Sequence, residues 1–128
     1  MATPLPLTSL EGQSVSRPPL FNGSNYSYWK TRMENFMKSV DINCWRNVIT
    51  GPRIPMKVVG DELVRKTEEE YTDADWNDIA INAKAINILH CALDATEYNK
   101  VSGCKSATEV WEKPRVTYEG TDRVKDPE

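Results

Sequence analysis

The chain has 128 residues, 39% of them hydrophobic, with four Trp, five Tyr and two Phe, which is enough for one domain with a packed core. Its net charge of −3 comes without a clustered basic stripe, which argues against a nucleic-acid footprint built on Lys and Arg, and no window approaches the length of a membrane span. Cys44, Cys91 and Cys104 share a single histidine, His90, so no zinc-ligand spacing can be assembled, and three reduced thiols fit a cytoplasmic protein.

In chain order, residues 1–20 hold Pro4, Pro6, Pro18 and Pro19 among Ser, Thr and Gly, without helical period. They are expected to form a disordered arm. Gly23 and Ser24 break the segment that follows, and Asn25 is placed to accept from an amide of a first helical turn. Tyr26, Trp29, Met33, Phe36, Met37 and Val40 then recur at spacings of three and four, predicting a helix over 26–40. Such a stripe reads either as core or as a partner-binding groove. Asp41 can cap a short turn, Ile42 to Val48, that carries Trp45, and Gly51, Pro52, Pro55 and Gly60 predict a connecting loop over 50–60. Residues 61–71 are charged, with helical propensity but a weak apolar stripe.

Thr72, Asp73 and Asp75 supply a cap and first-turn negative charge for a helix over 73–93, roughly 30 Å long. Two apolar sets run along it: Trp76, Ile79, Ala83, Ile86, His90 and Leu93, and Ile81, Ala85, Ile88, Leu89 and Ala92. A helix this apolar is expected to be central, with His90 as a core or boundary residue. Cys91 reads as a small buried hydrophobe, and Cys44 and Cys104 as loop thiols. Adjacent helical residues point about 100° apart, so His90 and Cys91 are poorly placed as base and nucleophile. Asp94 caps a short helix through Tyr98 and Val101 that closes at Ser102-Gly103, and Ser106 and Glu109 have capping-box spacing. Pro114 falls in that last helix, where a missing amide and a clash with the Val110 carbonyl cost about 3 kcal/mol, so the helix is expected to kink or stop. Residues 115–128 offer no further face with which to close a core. The elements together predict an all-α fold, a small bundle of about four to five helices over 21–113, with an incomplete, irregular C-terminal segment over 114–128.

Phe21-Asn22-Gly23, Tyr26 and Trp29 to Met33, followed by Trp76, the Ile86 to Leu93 helix, Trp111-Glu112-Lys113 and Tyr118-Glu119-Gly120-Thr121, resemble the gag polypeptides of plant copia-type LTR retrotransposons. The resemblance rests on order and spacing, carried by Phe21, Gly23, Tyr26, Trp29, Met33, Trp76, Leu93, Trp111, Tyr118 and Gly120. It implies a capsid-like, all-helical structural protein that self-associates into virus-like particles around element RNA. It also implies no catalytic or metal-binding residues, no cofactor and no small-molecule substrate. The family carries an apolar residue, typically leucine, where this chain has Pro114, and longer members continue past the Val124-Lys125 pair, so the chain resembles a truncated gag.

The residues themselves leave competing functions. A nucleic-acid-binding module draws on the uneven charge, since residues 1–60 hold seven Lys/Arg against three Asp/Glu and residues 61–128 nine against sixteen. A helical protein–protein adaptor without assembly activity fits the same pattern. An enzyme ranks last, because a nucleophile, a base and a stabiliser would have to converge.

Overall fold

A computed structural model describes residues 17–119. Its elements are α1 (Tyr26–Val40), α2 (Ile42–Thr50), β1 (Met56–Val59), β2 (Glu62–Arg65), a 3₁₀ turn (Glu68–Glu70), α3 (Asp73–Cys91), α4 (Ala95–Val101), α5 (Ala107–Pro114) and a π-helical turn (Arg115–Glu119). The fold is all-α apart from the antiparallel β1–β2 hairpin.

Local chemistry sets most helix starts. The Asp41 carboxylate accepts from the Asn43 amide at 2.9 Å and starts α2. Thr72 and Asp75 form a reciprocal capping box at the start of α3 (3.1 and 2.9 Å), and Asp94 accepts from the Glu97 amide to start α4. Ser106 accepts from the Glu109 amide at 3.2 Å, but the Glu109 carboxylate bonds the Lys105 amide, so the expected box is shifted by one residue. Asn25 departs from expectation. It sits at φ 54°, ψ 52°, a left-handed conformation that asparagine tolerates, and its side chain makes no capping bond. Asn22 instead accepts from the Ser24 amide.

The core gathers the inner faces of α1 (Tyr26, Trp29, Met33, Met37), α2 (Cys44, Trp45, Val48), α3 (Ala85, Leu89) and α5 (Ala107, Val110, Trp111). Helix α2 packs on α1, α3 and α5, and α5 also packs on α3. Each large side chain fully buried here, such as Met33, Met37 or Leu89, is worth about 1.5–3 kcal/mol of apolar transfer before entropy is charged. Phe21 reaches the same core from the N-terminal side. Its amide donates to the Ala92 carbonyl (2.7 Å) and its carbonyl accepts from Asp94 (3.1 Å), stitching the segment before α1 to the α3–α4 junction.

Several expectations change. Residues 56–65 form a hairpin rather than a loop and a helix-prone stretch, because β-branched Val58 and Val59 precede Gly60-Asp61, a two-residue loop with Gly60 at φ 64°. On α3 the second apolar set faces inward: Ala85, Leu89 and Ala92 are buried, while Ala83 is exposed and Trp76 stands 46% exposed, edge-on to Tyr71. Val40, at the end of the α1 stripe, is exposed too. The cysteines exchange places, Cys44 being buried in α2 and Cys91 exposed.

Pro114 ends α5, as expected. It has no amide for Val110, and Arg115 donates three residues back to Glu112 as the chain enters the π-helical turn. That turn does close the core, since Tyr118 packs against it. The expected arm is anchored at its inner end, where the Trp29 indole N–H donates to the Pro19 carbonyl at 2.8 Å. Residues 1–16 of that arm, Gly120 and the rest of the tail lie outside the described residues.

Candidate functional site

Eight of the ten residues that carry the sequence motif, all but Trp76 and Gly120, come together in or against one core. Phe21, wholly buried, stacks on Trp29 (ring centroids 5.0 Å apart) and meets Tyr26 and Tyr118 edge-on at 5.7 and 5.1 Å. Trp29 continues to Trp111 at 5.7 Å, and Trp111 to Trp45 at 5.4 Å. The two phrases separated by most of the chain are therefore one continuous aromatic stack. Each such pair adds about 0.5–1.5 kcal/mol beyond the area it buries. Met33 and Leu93 lie in the same core, whereas Trp76 does not join it.

Glu97 was not singled out by the sequence and is the one buried charged residue among those described, 4% exposed. Its Oε2 accepts from the Tyr118 hydroxyl at 2.7 Å and from Lys100 Nζ at 3.2 Å, and Lys100 also reaches the Tyr118 oxygen at 2.9 Å. These contacts hold the Lys100 ammonium above its ordinary pKa, the Tyr118 bond contributing most. Gly23 lies against this carboxylate: a Cβ there would stand 3.1 Å from Glu97 Oε2, and its φ of 97° is one that side chains avoid. Glycine is thus the residue that lets the entry to α1 pass over a buried acid. Lys30 closes the far side by pairing with Glu119 at 2.7 Å, which lowers the Glu119 pKa. Burial, with Glu119 and Glu112 nearby, pushes the Tyr26 phenol well above its usual value. No local pattern in the sequence marks Glu97, because its partners arrive from distant segments.

Beside this latch lies a cleft of about 290 Å³ bounded by Glu97, Lys100, Lys113, Pro114 and Tyr118. It falls at the lower end of small-molecule sites, about 300–1,000 Å³, and Glu97, Lys100 and Tyr118 are already engaged with one another. Elsewhere, His90 packs edge-on to Tyr98 at 4.8 Å with its Nε2 buried and unbonded, while Cys91 faces outward. The structure does not bring them together as base and nucleophile. Burial lowers the His90 pKa and raises that of Cys44. Among the described residues no group of three or more His, Cys, Asp or Glu is placed to hold a metal ion, and no helix is long and apolar enough to cross a membrane.

No known protein family matches the sequence, and comparison with curated proteins and with solved structures gives no match.

Proposed function

We propose that the chain is a non-catalytic structural module of the gag, capsid-like kind, acting in the cytoplasm by associating with further copies of itself and, in the intact family, with element RNA. The observation that carries this reading is the place of the motif residues. Phe21, Tyr26, Trp29, Met33, Leu93 and Trp111 are buried in one core, which Tyr118 packs against and Gly23 lets the chain enter, although Tyr118 also borders the cleft beside Glu97. What they brace is a scaffold whose exposed apolar residues, including Val58, Leu63, Ile49 and Val116, sit on its outside. Side chains of this kind gain most from burial against another surface. The nucleic-acid reading has one feature in its favour, the exposed Tyr28 ring on α1 with the Arg32 guanidinium 5.4 Å from its centroid, a pair suited to stacking on a base. Electron microscopy of the concentrated chain with and without RNA tests the proposal. Regular assemblies are the expected result, and a field of isolated small particles under every condition contradicts it.

A further inference from the structure

The latch around Glu97 leaves half of its carboxylate unused. Both bonds to this side chain fall on Oε2, from the Tyr118 hydroxyl and from Lys100 Nζ. Oε1 has no donor among the described residues, and it is not one of the wholly enclosed polar atoms without a partner, which are the Tyr26 hydroxyl, Asn47 Oδ1 and His90 Nε2. An ionised carboxylate can accept at both oxygens. Glu97 is 4% exposed and borders the cleft of about 290 Å³, so the small part of it that remains open presents an acceptor there. An acceptor of this kind, charged and nearly buried, gains most from a ligand that brings it a donor.

The charge around the cleft selects the rest of that ligand. Lys113, in the last turn of α5, borders the cleft, and its ammonium has no hydrogen bond or ion pair among the described residues. Lys100 has spent two of its three donors, on Glu97 and Tyr118. Two ammonium groups against one carboxylate leave an unneutralised positive charge, which calls for an anion. Val101, Pro114 and Tyr118 complete the lining, where an apolar body leaves water. Simple ligands fail one of these demands. A fatty acid pairs with Lys113 but brings no donor to Glu97 and sets a second carboxylate near it. A free amino acid brings its donor as an ammonium, a third positive charge beside Lys100 and Lys113. An acylated amino acid brings a neutral amide N–H, a carboxylate and a side chain on one carbon.

We propose that this cleft binds the C-terminal residue of a peptide chain ending in an aliphatic side chain, the terminal amide N–H donating to Glu97 Oε1 and the terminal carboxylate held by Lys113 and the remaining donor of Lys100. Glu97 and Lys100 thereby serve twice, closing the latch through Oε2 and receiving the peptide through the atoms the latch leaves over. The site goes beyond the self-associating module, and its loss leaves that reading standing.

Three small probes test it on the isotope-labelled full chain by nuclear magnetic resonance: N-acetyl-leucine, N-acetyl-leucinamide, which lacks the carboxylate, and leucine. N-acetyl-leucine is expected to shift the amides of Val101, Lys113 and Tyr118 saturably, with a Kd of about 1 mM, close to what a ligand of its size can reach. N-acetyl-leucinamide and leucine are each expected to bind at least about fivefold more weakly, and Lys113→Gln, at an exposed position, to weaken N-acetyl-leucine by a similar factor. No saturable shift at those amides up to about 20 mM overturns the site. Equal binding of N-acetyl-leucinamide, or an unchanged Kd in Lys113→Gln, overturns the carboxylate pairing and the proposal with it, and leucine binding as tightly as N-acetyl-leucine overturns the peptide C-terminus. If Lys113→Gln loses helical circular dichroism, the probe series on the parent decides alone.

Discussion

Replacing Trp29 by alanine removes the side chain at the junction of the two motif phrases. The ring is 4% exposed and touches Phe21, Tyr26 and Trp111, and its N–H is bonded to the Pro19 carbonyl. Truncating a buried aromatic costs about 3–5 kcal/mol in transfer and cavity terms, and the partners lost here place Trp29→Ala in the upper half of that range. Against a total stability of about 5–15 kcal/mol, such a loss brings a domain of this size close to unfolding. With a urea slope of about 1–2 kcal/mol per M, the midpoint should fall by roughly 2–5 M, measured by far-ultraviolet circular dichroism so that loss of the fluorophore does not matter. Trp76→Ala is the matched control, a ring half in solvent with one aromatic partner, and should cost about 1 kcal/mol or less. A Trp29→Ala midpoint within 0.5 M of the parent, or a larger loss at Trp76, would refute the placement of the two rings and with it the aromatic stack.

Three further outcomes follow from the latch and from the lone histidine. Tyr118→Phe keeps the ring but removes the bond to a buried carboxylate, and should destabilise by about 1.5–3 kcal/mol; no change in a urea melt would show that Glu97 is held by Lys100 alone. Gly23→Ala, strained at φ 97° and crowded by Glu97, should cost about 1–2 kcal/mol and more than Gly60→Ala, where the added methyl meets nothing within 4 Å; the reverse order contradicts the packing of Gly23. His90 has a folded-state pKa below its ordinary 6.5 because burial disfavours the charged ring, so the unfolded chain binds the proton more readily and stability falls as pH drops from 6.5 through the lower folded value. Its imidazole resonances should titrate below 6.5 in the folded protein, and a midpoint at or above that value rules out the buried Nε2.

Acid sensitivity has a second, lower range. The carboxylates of Asp41, Glu70 and Asp75 are held below their ordinary pKa chiefly by bonds from Lys84, Lys57 and Lys66. The stability they lend is present above the usual carboxylate range and is lost as pH falls through their depressed values. Asp41 ties α2 to Lys84 of α3 as well as capping its own helix, so both roles fail in one range of pH.

How much of this was legible in the sequence depended on the range of the interaction. Asp41, Thr72, Asp94 and Ser106 announced helix starts because a cap bonds amides two or three residues away. Pro114 announced an end for the same reason. The α1 stripe was legible from Tyr26 to Met37, where a single face is apolar. On α3 two apolar sets overlapped, and periodicity alone could not choose between Trp76–Ala83 and Ala85–Leu89; contact with α2 and α5 made the choice. The same rotation decided that Cys91 faces out. The hairpin was missed because its strands are four residues long and interleave Lys57, Glu62 and Arg65 with the valines. Val58-Val59-Gly60-Asp61 was the available signal. Glu97 and the docking of Tyr118 left no trace in local pattern, since both depend on segments that meet only in the folded chain.

Association with further copies of itself is the proposed role of this scaffold. Its most direct test is the mass of the purified chain by light scattering after size exclusion, across a hundredfold range of concentration. Self-association requires a weight-average mass that climbs from the 14.6 kDa monomer toward the dimer and beyond as concentration rises. A mass fixed at the monomer over the whole range contradicts it.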